Sequence, residues 1–279
     1  MSSAQELLGL DPDAQTHRLS QIKDDVVGEQ PLMEAPPSTE VTLFRGIYDN
    51  GTWHRTAHVR ELTGADEEGI SRMMGDRNSV GFVNAMIAYG VDTVGPHDLT
   101  RMGLPDRQGI LDSLLVGEKE LLFLNVLRVT YGDRRTVAVR CPQEDCGATN
   151  DVTFSLSEDI PIRQLEDPTR ITYEFTMRDG STLEYRLVTG MDQVESTRRP
   201  SATIPEQNTI IFSRVIVNVN GKPLVDPLHY ARNLGALDRR NLLREVTQRQ
   251  PGPYFEEVKL PCATCGFQSS FMPQWADLL

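Results

Sequence analysis

Four cysteines are the residues of this chain best suited to chemistry, and they fall into two pairs. Four residues separate Cys141 from Cys146, and two residues separate Cys262 from Cys265. In each pair the second cysteine is followed by a glycine, which lets the backbone fold back so that its amides can face a metal-bound sulfur. This pattern is typical of a zinc knuckle. Two knuckles together supply four thiolates, which is the complete tetrahedral ligand set of one structural zinc ion.

We therefore expect Cys141, Cys146, Cys262 and Cys265 to bind a single Zn²⁺. A catalytic zinc, which keeps an open position for water, is an alternative that four thiolates disfavour. Two unlinked thiol pairs are a second alternative, and the sequence does not decide between zinc and iron. The first residues, 1–6, lack the basic and apolar blocks of a signal peptide, so we expect a reducing cytosol, where paired cysteines more often bind metal than form disulfides.

Charge and motifs restrict the remaining functions. The chain carries 28 basic and 40 acidic residues, a formal net charge of -12, and such a surface repels phosphate backbones, so we expect no nucleic-acid partner. No apolar run is long enough for a membrane helix, and no phosphate-binding glycine loop, His-Glu-x-x-His or Gly-x-Ser-x-Gly motif occurs. His54 and His58 lie four apart on a predicted strand, but solvated polar positions explain them. We expect neither an enzyme nor a small-molecule substrate.

The elements that must position the first cysteine pair begin after a proline-containing arm, residues 1–40, which we expect to be extended or flexible. From Val41, alternating residues around Asn50-Gly51 predict a β-hairpin. Helices follow, with a loop at Gly95-Pro96 between them, and residues 118–129 are nearly all apolar after the first turn, which is typical of a buried helix. Two strands then flank the first cysteine pair.

The same order recurs in the second half of the chain. Thr189-Gly190 with Asp192 repeats Thr63-Gly64 with Asp66 at an offset of 126 residues, and Gly221 repeats Gly95 at the same offset. Around the cysteines the offset shrinks to 121 and 119. A long period present in two copies indicates a duplicated domain. β-branched residues at 215–219 predict a strand in the second copy, and residues 275–279 are expected to pack back on the protein or on a partner.

These patterns predict an α+β protein of two duplicated units, residues 41–160 and 161–279. Each unit is a β-hairpin plus helices ending in a zinc-knuckle hairpin, and a shared four-cysteine zinc ribbon joins the two. From the residues alone, a zinc-ribbon nucleic-acid-binding or transcription accessory protein is the alternative function.

Three stretches resemble one protein family: residues 60–68, residues 127–132 and the cysteine turns with their Cys-Pro and Cys-Gly steps. In this order they are similar to the baseplate hub and assembly proteins of contractile-tailed phages, the T-even-type baseplate family, over about residues 41–275. The resemblance implies a non-enzymatic structural or assembly role, with the four cysteines as metal ligands. It implies other tail or baseplate proteins as partners, and a location in the virion and, during assembly, in the host cytoplasm.

Overall fold

A computed structural model of the chain describes residues 38–73, 79–199, 201–272 and 275–278. These residues form a mixed α+β fold, as the sequence predicts, and they lie within a compact unit that spans residues 37–279. The prediction of a flexible arm at residues 1–40 lies outside the described residues except for Ser38 to Glu40, which belong to the first strand.

The helices, in chain order, are α1 Gly64–Met73, α2 Ser79–Gly90, α3 Leu104–Ser113, α4 Val116–Tyr131, α5 Gly190–Thr197, α6 Ile204–Val215, α7 Pro227–Asn233 and α8 Ala236–Arg249. Short 3₁₀ turns occupy Leu99–Arg101 and Trp275–Leu278. The strands are β1 Ser38–Asp49, β2 Thr52–Arg60, β3 Val91–Val94, β4 His97–Asp98, β5 Arg134–Arg140, β6 Thr149–Ser155, β7 Ile162–Arg163, β8 Thr172–Thr176, β9 Thr182–Arg186, β10 Ile216–Val219, β11 Lys222–Pro223, β12 Gly252–Pro253, β13 Val258–Pro261 and β14 Gln268–Phe271. In the described part of the chain, no helix combines the length and apolar character that crossing a membrane requires.

The first sheet has the strand order β1-β2-β3-β4 and starts from the predicted hairpin. Asn50 (φ 47°) and Gly51 (φ 84°) both adopt positive φ in the two-residue turn, which is the geometry that an Asn-Gly pair favours. The strands β3 and β4 were not predicted. The sequence indicates a loop at Gly95-Pro96, whereas these residues form the turn of a second short hairpin whose β3 strand pairs with β2.

The second sheet has the strand order β11-β10-β9-β8. Its β8–β9 hairpin turns at Gly180 (φ 84°), and the strand predicted from the β-branched run is β10. Strand β10 pairs with β9 on one side and with β11 on the other. Each four-stranded sheet therefore consists of a longer hairpin extended by a short one.

Two clusters of buried apolar side chains lie against these sheets. The first surrounds α4, whose Leu122, Phe123 and Leu127 are fully buried, as predicted for a helix that is nearly all apolar after its first turn. The second is built on β8, β9 and the helices α6 and α8, with Tyr185 and Phe212 at its centre. The turn at Trp275–Leu278 packs back on the first cluster, where the Trp275 ring meets that of Phe123 edge-on at 5.6 Å.

The two clusters meet where three backbone segments touch, residues 114–118, 188–190 and 250–252, which we call the junction. The amide of Val116 donates to the Val188 carbonyl at 3.1 Å, and the amide of Gly190 donates to the Leu114 carbonyl at 2.9 Å. The Gln250 side-chain amide bonds both polar groups of the Val188 backbone, at 2.9 and 3.2 Å. Main-chain hydrogen bonds therefore fix one half of the described chain against the other.

A buried carboxylate secures the junction from the side of the first sheet. Glu118 is fully buried and accepts hydrogen bonds from the backbone amides of Arg45, Gly46 and Leu115 at 2.6, 2.7 and 3.0 Å. Burial raises the pKa of Glu118, and the three amides act in the opposite direction. Because one carboxylate satisfies amides from both β1 and the start of α4, it fixes the register between strand and helix.

Candidate metal centre

The first cysteine pair lies at the end of the β5–β6 hairpin. Strand β5 ends at Arg140, and the amide of Cys141 donates to the Ala148 carbonyl at 2.8 Å, which continues the ladder by one step. The amides of Cys146 and Gly147 both donate to the Gln143 carbonyl, at 3.0 and 3.2 Å. Gly147 has a φ of 56°, a conformation that glycine adopts without the steric cost of a side chain.

The second cysteine pair closes the β13–β14 hairpin in the same way. The amide of Cys262 donates to the Phe267 carbonyl at 2.9 Å, and the amide of Gly266 donates to the Cys262 carbonyl at 2.8 Å. Gly266 has a φ of 71°, matching the glycine of the first turn. In both hairpins the first cysteine is buried and the second is more exposed. The two turns thus share one local design although their spacings differ by two residues.

The structure brings all four sequence-predicted cysteines together. Their Sγ atoms lie within 4.8 Å of one another, and among the described residues this is the group of three or more His, Cys, Asp or Glu side chains that could hold a metal ion. The Sγ atoms of Cys141 and Cys265 are 3.8 Å apart, and those of Cys146 and Cys262 are also 3.8 Å apart. Each of these close contacts joins one hairpin to the other.

These distances fit a tetrahedral metal site better than disulfides. Four sulfurs placed about 2.3 Å from a central zinc ion are separated by about 3.8 Å, whereas a disulfide bond is about 2.05 Å long. All four cysteines are free thiols in the structure. A metal held by these four sulfurs has a filled coordination shell, so the arrangement favours a structural over a catalytic ion.

The local electrostatics favour the thiolate form at Cys262 but not at Cys141. Hydrogen bonds from the amides of Cys265 and Thr264 lower the pKa of Cys262 to about 6. The amide of Gln143 acts likewise on Cys141, but burial and the nearby thiols outweigh it and raise the pKa of Cys141. Four adjacent thiolates repel one another, and a divalent cation removes this conflict by stabilising all of them. The donor set therefore fits a dication.

One further side chain supports the cysteine group from outside the ligand set. Asn150, on strand β6 of the first hairpin, donates from Nδ2 to Cys262 Sγ at 3.6 Å. Its Oδ1 accepts the backbone amide of Ala263 at 2.9 Å. Both partners belong to the second hairpin, so Asn150 holds the two turns together and orients one thiol. Nothing in the linear sequence marks this residue, because its partners lie more than a hundred positions away.

The two strand histidines are not part of a metal site in the described structure. His58 shares a 2.9 Å hydrogen bond between its Nδ1 and Thr93 Oγ1 on the neighbouring strand β3. His54 packs against the Gly95 turn, where its Cβ would lie 2.6 Å from any side chain added at that glycine. Both residues therefore act as polar positions of the first sheet, which is the interpretation that the sequence favours.

Comparison with known protein families supplies independent information. A family model described as "T4 bacteriophage base plate protein" matches residues 104–222, which is less than half of the chain. The matched segment includes Cys141 and Cys146 but ends before Cys262 and Cys265. No curated protein and no solved structure matches this chain. The family match confirms the resemblance to T4-type phage baseplate proteins that the sequence motifs indicate.

Proposed function

Taking the baseplate match as the premise, we propose that this protein is a non-enzymatic structural or assembly component of a phage contractile-tail baseplate. The match over residues 104–222 is the observation that carries this proposal. It includes the helices α3 and α4, the first cysteine hairpin and most of the second sheet, so it concerns the framework of the protein and not one short motif. Other tail or baseplate proteins are its partners, in the virion and in the host cytoplasm during assembly.

A single structural zinc ion, bound by Cys141, Cys146, Cys262 and Cys265, stabilises the proposed component. The cluster of four Sγ atoms within 4.8 Å supports the site, and the two 3.8 Å contacts between hairpins support the tetrahedral geometry. Because each hairpin supplies two sulfurs, the ion ties together segments that are far apart in sequence. Its contribution is therefore to the relative position of the two hairpins.

Two duplicated units, residues 41–160 and 161–279, make up the proposed architecture. Supporting this, the order of elements around the first sheet, a hairpin, two helices, a short hairpin and two more helices before the cysteine hairpin, recurs around the second sheet. Gly95 (φ 55°) and Gly221 (φ 72°), 126 residues apart, each occupy the turn of the short hairpin.

A matched ion pair at the same offset gives further support to the duplication. Asp66 accepts hydrogen bonds from the Thr63 amide at 2.8 Å and from Nη1 and Nη2 of Arg60 at 2.7 and 3.1 Å. Asp192 accepts hydrogen bonds from the Thr189 amide at 3.0 Å and from Nη1 and Nη2 of Arg186 at 2.6 and 2.9 Å. In each half, the third residue of the helix caps the helix start and anchors the preceding strand. Two unrelated segments are not expected to form the same arrangement of Arg, Thr and Asp at equivalent positions.

Metal analysis of the purified protein tests the zinc site. We expect a single equivalent of zinc per chain after purification under reducing conditions, and loss of that zinc in Cys141→Ser and in Cys265→Ser. Thr264→Ser is the matched control, because it alters the same turn without removing a ligand. Zinc-free protein with all thiols reactive, or with disulfides in place of thiols, would overturn the site. Bound iron would retain the site and change only the ion.

Detection of the protein in phage particles tests the baseplate role separately. We expect it to co-purify with tails or with baseplate assembly intermediates from infected cells, and tail assembly to stop before the baseplate is complete when its gene is disrupted. Normal tails in the disrupted phage would refute the role, whatever the metal analysis gives. The two experiments can fail independently. If the second hairpin only stabilises the fold, the Cys265→Ser variant should lose zinc but still join the tails.

A further inference from the structure

A cationic pocket in the second half of this acidic protein lies between α5, α6 and α7. The cavity has a volume of about 620 Å³, and its wall contains the arginines Arg198, Arg199, Arg214 and Arg232 against only two carboxylates, Glu195 and Glu206. The chain as a whole has a net charge of -12. A local excess of positive charge in a protein of the opposite sign is a feature that folding alone does not require.

Two of the four arginines already form ion pairs with carboxylates of the protein. Arg214 bonds the buried Asp192 at 2.7 Å, and Arg198 pairs with Glu195 at 3.1 Å. Neither Arg199 nor Arg232 makes an ion pair within 4 Å among the residues that the structure describes. The Thr203 amide and hydroxyl first, and then these two arginines, lower the pKa of Glu206. Both guanidinium groups are exposed and retain their hydrogen-bond donors for a ligand.

The pocket is also not part of the framework that the two halves share. The positions 126 residues before Arg199 and Arg214 are Met73 and Ala88, whereas Arg198 has Arg72 as its counterpart at that offset and the ion pair of Arg186 and Asp192 has that of Arg60 and Asp66. This comparison depends on the proposed duplication, but the charge and geometry of the pocket do not. Arg199 and Arg214 therefore belong to the second half alone.

From these observations we propose that the pocket binds an acidic peptide segment of a partner protein. Arginine forks suit carboxylates, and Leu228 and Ile210 in the wall suit apolar side chains between them. A nucleic acid is disfavoured, because the charge on every phosphate would face the net charge of -12 on the chain, whereas a peptide can place apolar side chains between its carboxylates. The interaction supplies a contact for the proposed baseplate role, yet it is measurable on the isolated protein.

Fluorescence anisotropy with a labelled peptide of alternating Glu and Leu residues tests the proposal on the full chain. We expect binding that weakens with added salt, and weakening by about tenfold or more in the double variant Arg199→Glu, Arg232→Glu. The matched control is Lys222→Glu with Arg240→Glu, which changes net charge equally at two exposed residues outside the pocket wall and should bind as the wild type does.

Three results would overturn the acidic-peptide assignment. The first is equal binding of a peptide with Gln in place of Glu, and the second is equal weakening by the control pair. The third is tighter binding of a single-stranded oligothymidylate than of the peptide, which would make the pocket a nucleic-acid site. Circular dichroism shows whether each variant is folded. If Arg199→Glu with Arg232→Glu is unfolded, the milder pair Arg199→Gln with Arg232→Gln replaces it. None of these outcomes depends on zinc content or on detection of the protein in tails.

Discussion

Replacing Gly117 with alanine tests the closest backbone contact of the junction. Gly117 is the second residue of α4, and a Cβ added there would lie 1.6 Å from the Pro251 carbonyl oxygen and 3.0 Å from the Gly252 Cα. Every one of these neighbours is a backbone atom, so no side-chain rotation relieves the overlap. Real Cβ contacts stay beyond 3.0 Å, and therefore α4 and the 250–252 segment must separate by about 1.4 Å.

The cost of that separation follows from what it disturbs. Overpacking alone costs about 1–3 kcal/mol. The shift also strains the hydrogen bonds that Val188 makes with Val116 and with Gln250, each contributing about 1 kcal/mol. Alanine recovers about 0.5–1 kcal/mol relative to glycine within a helix. We therefore expect Gly117→Ala to lower the free energy of unfolding by about 3 kcal/mol.

Urea unfolding followed by circular dichroism and by tryptophan fluorescence measures this effect. The matched control is Gly109→Ala, because Gly109 is exposed within α3 and an added Cβ would have no atom within 4 Å. The control should stabilise the protein by about 0.5–1 kcal/mol through the unfolded chain alone. An unfolding midpoint for Gly117→Ala equal to or above that of the control would refute the close contact and, with it, the description of the junction.

Three further predictions concern charge and the cysteine group. Burial acts to raise the pKa of Asp192, but hydrogen bonds from Arg186, the Thr189 amide and Arg214 lower it to about 2. Since this is below the ordinary value of 3.8, its stabilisation is complete above about pH 4 and is lost as the pH falls towards 2. We expect Asp192→Asn to abolish that acid sensitivity and to lower the free energy of unfolding by about 3 kcal/mol at neutral pH. The loss should exceed that of Asp66→Asn, because the Asp66 carboxylate is less buried. Unfolding measured as a function of pH checks both expectations. Asn150→Ala should speed zinc loss to a chelator by about tenfold while leaving the stoichiometry unchanged, and an unchanged rate would refute its supporting role. Binding to duplex DNA should be negligible at all salt concentrations, and a steep decrease of measurable affinity with salt would instead support the nucleic-acid alternative.

Local sequence signals predicted the elements whose geometry is set by neighbouring residues. The Asn50-Gly51 turn requires positive φ at two positions, which few residue pairs tolerate. The buried helix around Phe123 shows its burial through a sequence that is mostly apolar after the first turn. The cysteine pairs are visible because ligand spacing within each turn is short. In each of these cases the residues that carry the signal lie close together in the sequence.

The features that sequence reasoning missed depend on contacts between distant segments. Strands β3 and β4 have only four and two residues, and their extended conformation is stabilised by pairing, of β3 with β2 and of β4 with β3. Glu118 resembles an ordinary exposed carboxylate in the first turn of a helix, but amides of β1, more than seventy positions earlier, draw it into the core. Asn150 gains its role only once the two hairpins meet. Tertiary partners of this kind leave no pattern in a single sequence.

The packing of Trp275 on Phe123 constrains the order in which the protein folds during synthesis. Phe123 lies in the first half, and the ring that covers it, together with Phe255 beside that ring, is translated only after nearly all of the second half. The nascent first half therefore leaves the ribosome with an uncovered aromatic surface. Two nascent chains on one messenger RNA expose this surface at the same time, so we expect exchange of the segment around Trp275 between them to be a route of misfolding.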